Sequence, residues 1–447
     1  MIRTTRLLTL IFLLIPILSG CSGGQVVDNL RAQLQSPTAR YEAEGDRLSA
    51  DGRAAEAILS YRQAVTQDGR NVMALRKLAR VYATQGRRRL AQYYLQRAVA
   101  LTPEDAGLVQ ELTLLDVRPA ESAHLKLRWQ VETPGGLPTG MAMAGELLYV
   151  AFDDGRMKAL ATTTGATRWE IKLPTRITSA PAAGGGLLFA GGEDGALYAL
   201  DATDGHKRWE LATSAPIYAA PALAGDMIYG PSGDGSLYAA SLADGVVRWT
   251  IAAVRPLTGS PTVAAGVLYF GDAAGRIWAV DAATGAELWG PGVLAQGPVE
   301  SQPAVSGGRV FVGAGDSRLY VLAVASGGEY WRYSSADAIY ARPIVISDTV
   351  YLASAGRTLT ALDVMTGDER WDVRAASPVP YSPAVVGTTV YYVAAGDPNL
   401  YAVDAATGKP LWKLDTGDWL AAGPVVVDGT MYLLGKDGAV LAFEPSG

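Results

Sequence analysis

Eight tryptophans stand on a nearly constant period. Trp129, Trp169, Trp209, Trp249, Trp289, Trp331, Trp371 and Trp412 are separated by 40, 40, 40, 40, 42, 40 and 41 residues. A proline column follows the same spacing: Pro181, Pro221, Pro261, Pro303, Pro343, Pro383 and Pro424. A repeat near 40 residues with several short strands per unit predicts a β-propeller, because each unit buries its faces only against its neighbours. The unit Gly186–Ala212 shows the pattern. Gly186–Ala190 is an apolar strand, Glu193-Asp194-Gly195 a hairpin turn, Ala196–Asp201 a second strand, and His206–Ala212 the tryptophan strand. The segment around Ser179-Ala180-Pro181 supplies the innermost strand, where a proline at the strand start removes no ladder bond. The 51 glycines are then mostly turn punctuation repeated in every unit.

A turn element precedes the tryptophans: Ala279, Asp281, Thr284, Gly285 and Trp289 spell Ala-x-Asp-x-x-Thr-Gly-x-x-x-Trp. The alanine is expected to leave a flat slot for the indole of a neighbouring unit. The first unit departs from the pattern at Ala161, and the fifth at Ala323, Ala325 and Gly328. The sequence stops after the third strand of its last unit, at Leu441–Glu444, and an unmatched tryptophan strand lies at 125–132. That strand is expected to complete an eighth blade and staple the ring without a free edge. The expected fold is mainly β, an eight-bladed propeller over 121–447, preceded by a small α-helical module over 38–118.

The N-terminus reads as a processing signal. Arg3 and Arg6 precede the apolar run Leu7–Leu18, too short to span a bilayer. Leu18-Ser19-Gly20-Cys21 follows and resembles the lipobox of bacterial lipoproteins. The resemblance implies a signal peptide at 1–20, lipidation of Cys21, and a tether over 21–37. Ser22 is not the aspartate that marks inner-membrane retention in enteric lipoproteins. The outer membrane, facing the periplasm, is the expected location in a diderm host.

Between Arg40 and Asp116 the apolar spacing is helical, with a repeat offset of 34: Gly45 maps to Ala79, Gly52 to Gly86, Ala57 to Ala91, Tyr61 to Leu95 and Ala64 to Ala98. Pro103-Glu104-Asp105 opens a further helix. The pattern resembles the tetratricopeptide repeat, which implies a peptide-binding groove or a spacer. Arg87-Arg88-Arg89 is expected at a solvated inter-helix turn, available to anionic headgroups or an acidic partner.

Composition narrows the function. One cysteine excludes an intramolecular disulfide and any multi-cysteine metal site, and two histidines, His124 and His206, leave little for histidine chemistry. A net charge of −6 argues against a nucleic-acid partner. The 22 basic and 33 acidic residues of 121–447 make the propeller itself an acidic disc of net −11, suited to a basic partner. The repeat motif resembles the tryptophan-docking motif of pyrroloquinoline-quinone (PQQ)-type propellers. That resemblance implies one of two functions: the PQQ-dependent alcohol and sugar dehydrogenases, or the non-catalytic BamB-type lipoproteins of outer-membrane β-barrel assembly. A quinoprotein needs a base, Ca²⁺ ligands and cations over the quinone. Near the proline column stand only the carboxylates Glu300 and Asp418, and none of Asn29, Asn71 and Asn399 falls on an inner strand. A scaffold is therefore expected, with no catalytic residue, no PQQ or Ca²⁺ and no small-molecule substrate. Its contacts are assigned to an interaction rim of Tyr218, Glu300, Tyr340, Arg342, Tyr381 and Trp419, and its partner to the membrane and the barrel-assembly core subunit. The alternative readings are a different lipid-anchored interaction module and a PQQ-dependent dehydrogenase.

Overall fold

The structure, a computed structural model, describes residues 36–115, 124–133, 135–253, 255–290, 293–436 and 438–446. The expected signal segment 1–20, Cys21 and the tether up to residue 35 lie outside the described residues. The chain divides between Val117 and Arg118 into two compact units.

The first unit consists, among the described residues, of five helices: α1 (Pro37–Ala50), α2 (Ala54–Gln67), α3 (Val72–Thr84), α4 (Arg88–Leu101) and α5 (Ala106–Leu114). Polar side chains fix three of the starts. Ser36, Asn71 and Asp105 each accept hydrogen bonds from backbone N–H groups in the first turn of α1, α3 and α5. The 34-residue offset is visible as structure, since α4 repeats α2 at that spacing. Ala57, Ala64, Ala91 and Ala98 are fully buried, so paired helices approach closely. Gly45 lies under the ring of Tyr61, where a Cβ would stand 2.5 Å from the ring carbons. The arginine run is solvated only in part, at the exposed Arg88. Arg89 is buried in the first turn of α4, and the Arg87 guanidinium lies 5.1 Å from the Tyr82 ring centroid.

The second unit is a ring of eight four-stranded antiparallel sheets, an eight-bladed β-propeller. Blade 2 runs from the short inner strand Ala182–Gly184 through Leu187–Gly191 and Ala196–Asp201 to the outer strand Lys207–Ala212. Burial explains the residue pattern. The two middle strands face a neighbouring blade on both sides and read as continuous apolar runs, while the outer strand alternates exposed and half-buried positions. Between blades 1 and 2, for example, Tyr149, Met157 and Trp169 pack against Leu188, Tyr198 and Leu200. Blade 8 contains three strands from the C-terminal segment and one from far upstream. Leu125–Val131 pairs antiparallel with Val440–Pro445, Leu125 opposite Pro445 and Val131 opposite Val440.

The tryptophans form a belt between blades. Each indole from Trp129 to Trp371 donates its Nε1–H to a backbone carbonyl in the next blade: Thr162, Ala202, Leu242, Ala282, Val324, Val364 and Ala405 in turn, at 2.8–3.3 Å. The flat slot is provided by glycine, not alanine. Gly285 has φ +75°, and a Cβ there would meet the Trp249 ring at 2.8 Å. The alanine of the motif instead faces the tryptophan of its own blade, as Ala199 faces Trp209. In the fifth unit Gly327 takes the glycine position, one residue before the Gly328 expected from sequence, and lies 2.8 Å from the Trp289 ring by the same measure. Blade 4 departs in its outer strand, which shrinks to Val293–Leu294 where the tryptophan spacing lengthens to 42. Among the described residues Trp412 meets no such turn. Its ring stacks on His124, the residue before the closing strand, at 5.5 Å and 7°.

Candidate functional site: the central cavity

The segments leading into the inner strands converge at the ring axis and enclose a cavity of about 850 Å³. Three residues before the column prolines stand Thr178, Tyr218, Thr258, Glu300 and Tyr340, and all five line it. Arg342 and Tyr381 line it as well. Of the six rim candidates, the cavity thus gathers Tyr218, Glu300, Tyr340, Arg342 and Tyr381. Trp419 is not part of the lining. It lies five residues before Pro424 instead of three, half-buried, with the Lys436 ammonium 5.8 Å from its ring. Two extra residues carry it past the cavity wall.

Hydrogen bonds lace the inner ring from blade to blade. Ser260 Oγ accepts the Ala220 N–H and Ser382 Oγ the Arg342 N–H, both at 3.0 Å. Thr178 Oγ1 donates to the Ile217 carbonyl at 2.7 Å, and Gln302 Nε2 to the Pro261 carbonyl at 3.3 Å. Ser260, Gln302 and Ser382 were not singled out from sequence. Their signal was the position immediately before a column proline, which they share with Arg342.

Among the described residues Glu300 and Arg342 are the charged side chains of the lining. Glu300 Oε1 accepts from Thr258 Oγ1 at 3.3 Å. Arg342 is exposed to the cavity, and partial desolvation by the surrounding wall pushes its guanidinium below the usual arginine range, while burial pushes the Tyr381 phenol above the usual tyrosine range. Tyr218 and Tyr340 are 51% and 44% exposed, so their rings present surface. Other acids near the axis are structural. The fully buried Asp272 accepts from the N–H groups of Ala274 and Arg276 and from Trp278 Nε1. Asp418 accepts the Trp419 N–H at 2.7 Å. A second acid motif went unread in sequence: Asp194, Asp234, Asp316 and Asp397 each accept the hydroxyl of the tyrosine four residues on. The repeated Asp-x-x-x-Tyr spacing was its signal.

Comparisons with known proteins agree with this geometry. A family model described as outer membrane protein assembly factor BamB matches residues 121–252, 212–292, 274–391 and 379–447. No curated protein matches the sequence. Among solved structures, BamB from Moraxella catarrhalis is 21% identical with a TM-score of 0.64, covering 72% of this chain and 97% of that one. A computationally designed protein, Ika8, is 18% identical with a TM-score of 0.65, over 71% of this chain and 99% of that one. Quinohemoprotein alcohol dehydrogenase from Comamonas testosteroni is 16% identical with a TM-score of 0.59, over 74% of this chain and 78% of that one. At these identities the likeness to solved structures is one of fold.

The repeat motif also resembles that of PQQ-type propellers, and the lining does not fit PQQ with its Ca²⁺. Ca²⁺ takes about 6–8 oxygen ligands with several carboxylates. The cavity offers one carboxylate, Glu300. Among the described residues no three His, Cys, Asp or Glu side chains converge. The described asparagines are elsewhere: Asn71 caps α3 and Asn399 bonds Asp397.

Proposed function

The chain belongs to the family of the outer membrane protein assembly factor BamB, and on that premise we propose that it is a non-catalytic, lipid-anchored scaffold for the assembly of outer-membrane β-barrel proteins. The observation that carries this reading is the family match, which runs through all eight blades. A lining with one carboxylate and no paired acid and base supports a binding surface over a catalyst. The acidic propeller, with 22 basic against 33 acidic residues over 121–447, suits a basic partner surface. In this proposal Cys21 carries the acyl chains and holds the protein at the periplasmic face of the outer membrane. No helix among the described residues is long and apolar enough to cross a membrane.

Affinity capture from detergent-solubilised membranes tests the proposal. Recovery of the barrel-assembly core subunit is expected, and its repeated absence overturns the assembly role. Intact-mass measurement, with Cys21→Ser released into the soluble fraction, tests the anchor. Reconstitution with PQQ and Ca²⁺ is expected to yield no redox-active complex.

One observation favours a second reading. The helical unit repeats α2 as α4 at an offset of 34, with small buried residues at matching positions. In a tetratricopeptide-like unit this geometry serves to hold a peptide. The chain would then be an adaptor with a second partner on its helices. Capture with the propeller alone recovering the same set of proteins would remove this reading.

A further inference from the structure

Arg342 differs from the ion-paired arginines of the molecule. Arg47, Arg53, Arg76, Arg332 and Arg370 are all pushed above the usual arginine range by a carboxylate at hydrogen-bond distance. On the outside of the propeller Arg370 pairs with both Asp348 and Asp363, at 2.9 and 2.7 Å. Arg342 is shifted in the other direction, downward, by desolvation. Among the described residues no carboxylate lies within ion-pair distance of its guanidinium. Arg342 is exposed where it lines the cavity, so its charge is open to a ligand, and its backbone is held in place. Its N–H is bound to Ser382 of the next blade, and Pro343 follows it.

We propose that Arg342 and the tyrosine-walled mouth of the central cavity form a carboxylate-binding site, for a ligand with an apolar or aromatic group beside its carboxylate. The guanidinium fork matches a carboxylate in two parallel hydrogen bonds. Tyr218, Tyr340 and Tyr381 supply flat apolar surface next to it, and their hydroxyls supply polar contacts. The cavity of about 850 Å³ has room for such a group. Glu300, on the same wall, selects for charge. It disfavours multiply charged anions such as phosphate and accepts a hydrogen bond from a ligand N–H or O–H. The acidic propeller disfavours polyanions in the same sense. A free peptide C-terminus and a small organic acid share the required chemistry. The ligand is bound and not converted, because no acid–base pair faces it.

The test is calorimetric titration of the purified full-length chain with three probes: N-acetyl-Ala-Ala-Phe as the free acid, the same peptide as its C-terminal amide, and 3-phenylpropionate. The free acid is expected to bind at least tenfold more tightly than the amide. Binding of 3-phenylpropionate as tight as that of the peptide identifies a small organic acid as the source, and binding of the peptide alone identifies a chain terminus. Arg342→Gln is expected to lose at least tenfold in affinity for the acid while keeping its thermal midpoint. Arg342→Lys keeps charge without the fork and falls between. Glu300→Gln, which removes the neighbouring negative charge, is expected to bind the acid a few-fold more tightly. Equal affinity for acid and amide, full affinity in a folded Arg342→Gln or Arg342→Lys variant, or inorganic phosphate competing as well as the organic acid overturns the proposal. So does the absence of binding by all three probes. None of these results bears on recovery of the barrel-assembly subunit, so the two proposals fail separately.

Discussion

Two rings of side chains circle the propeller on the same period. The outer one repeats tryptophan at all eight positions, and seven of the indoles reach into the next blade in the same way, onto a carbonyl and, for Trp249 and Trp289 alike, a glycine at positive φ. The inner one reads Thr178, Tyr218, Thr258, Glu300, Tyr340, Pro380: no run of it repeats one residue. Both rings sit at blade junctions and both are laced by hydrogen bonds. The outer ring solves the same packing problem eight times, so one residue serves. The inner ring faces a shared space, where each blade presents a different group to whatever enters. Repetition therefore marks stability in this fold, and broken repetition within the same period marks the surface available for recognition.

The largest effect that tests this contrast is expected at the belt. Gly285→Val forces a branched side chain into positive φ and into the Trp249 ring, costing about 4 kcal/mol from strain and overpacking together. Gly225→Val has the same sign of φ with open space around it, and is expected to cost about half as much. Comparable losses in chemical denaturation would break the claim that the indole contact matters. Next, Trp249→Ala is expected to cost about 3 kcal/mol, by cavity formation and loss of the Nε1–H bond to Ala282. Trp412→Ala, whose ring rests on His124 instead, is expected to cost about 2 kcal/mol. A larger loss at Trp412 would show that closure, not the regular junction, is the weak point of the ring.

At the inner ring the expectation reverses. Tyr218→Ala and Tyr340→Ala, both exposed, should leave stability within about 0.5 kcal/mol while reducing recovery of the captured partner. Unchanged capture with lowered stability would make the tyrosines plugs of the channel. The smallest expected effect lies outside the propeller. Arg76 and Arg80 hydrogen-bond the Glu111 carboxylate from α3 and hold its pKa down at about 2, from 4.5. The native state therefore gains stability from Glu111 that is fully present above pH 4.5 and is lost as pH falls toward 2. Glu111→Gln should flatten the acid limb of helical-unit unfolding followed by circular dichroism, and an unchanged limb would contradict the bridge.

The ring was legible because its packing is encoded locally. An indole, a turn glycine and an alternating outer strand recur within each 40-residue unit, so the period alone announces eight blades. The reading erred where a local motif was assigned to the wrong contact. Ala159, Ala199, Ala239 and Ala361 face their own blade's tryptophan, and the neighbour's indole rests on the glycine six residues after the motif alanine. Arg89 was expected in a turn, but it lies on the buried face of α4. Trp419 was grouped with the rim by nearness to Pro424, and two residues of extended chain were enough to carry it out of the cavity.

By itself the sequence determined the number of blades, the order of strands within each and the residues that pack between them, because those interactions join residues close in the chain or one period apart. Only the tertiary structure decided what shares the axis. Glu300 and Arg342 line one cavity without pairing, and His124 covers Trp412 across 288 positions. Such meetings depend on the angle at which every blade turns from the last and on the ring closing upon itself. No single unit of the repeat encodes them.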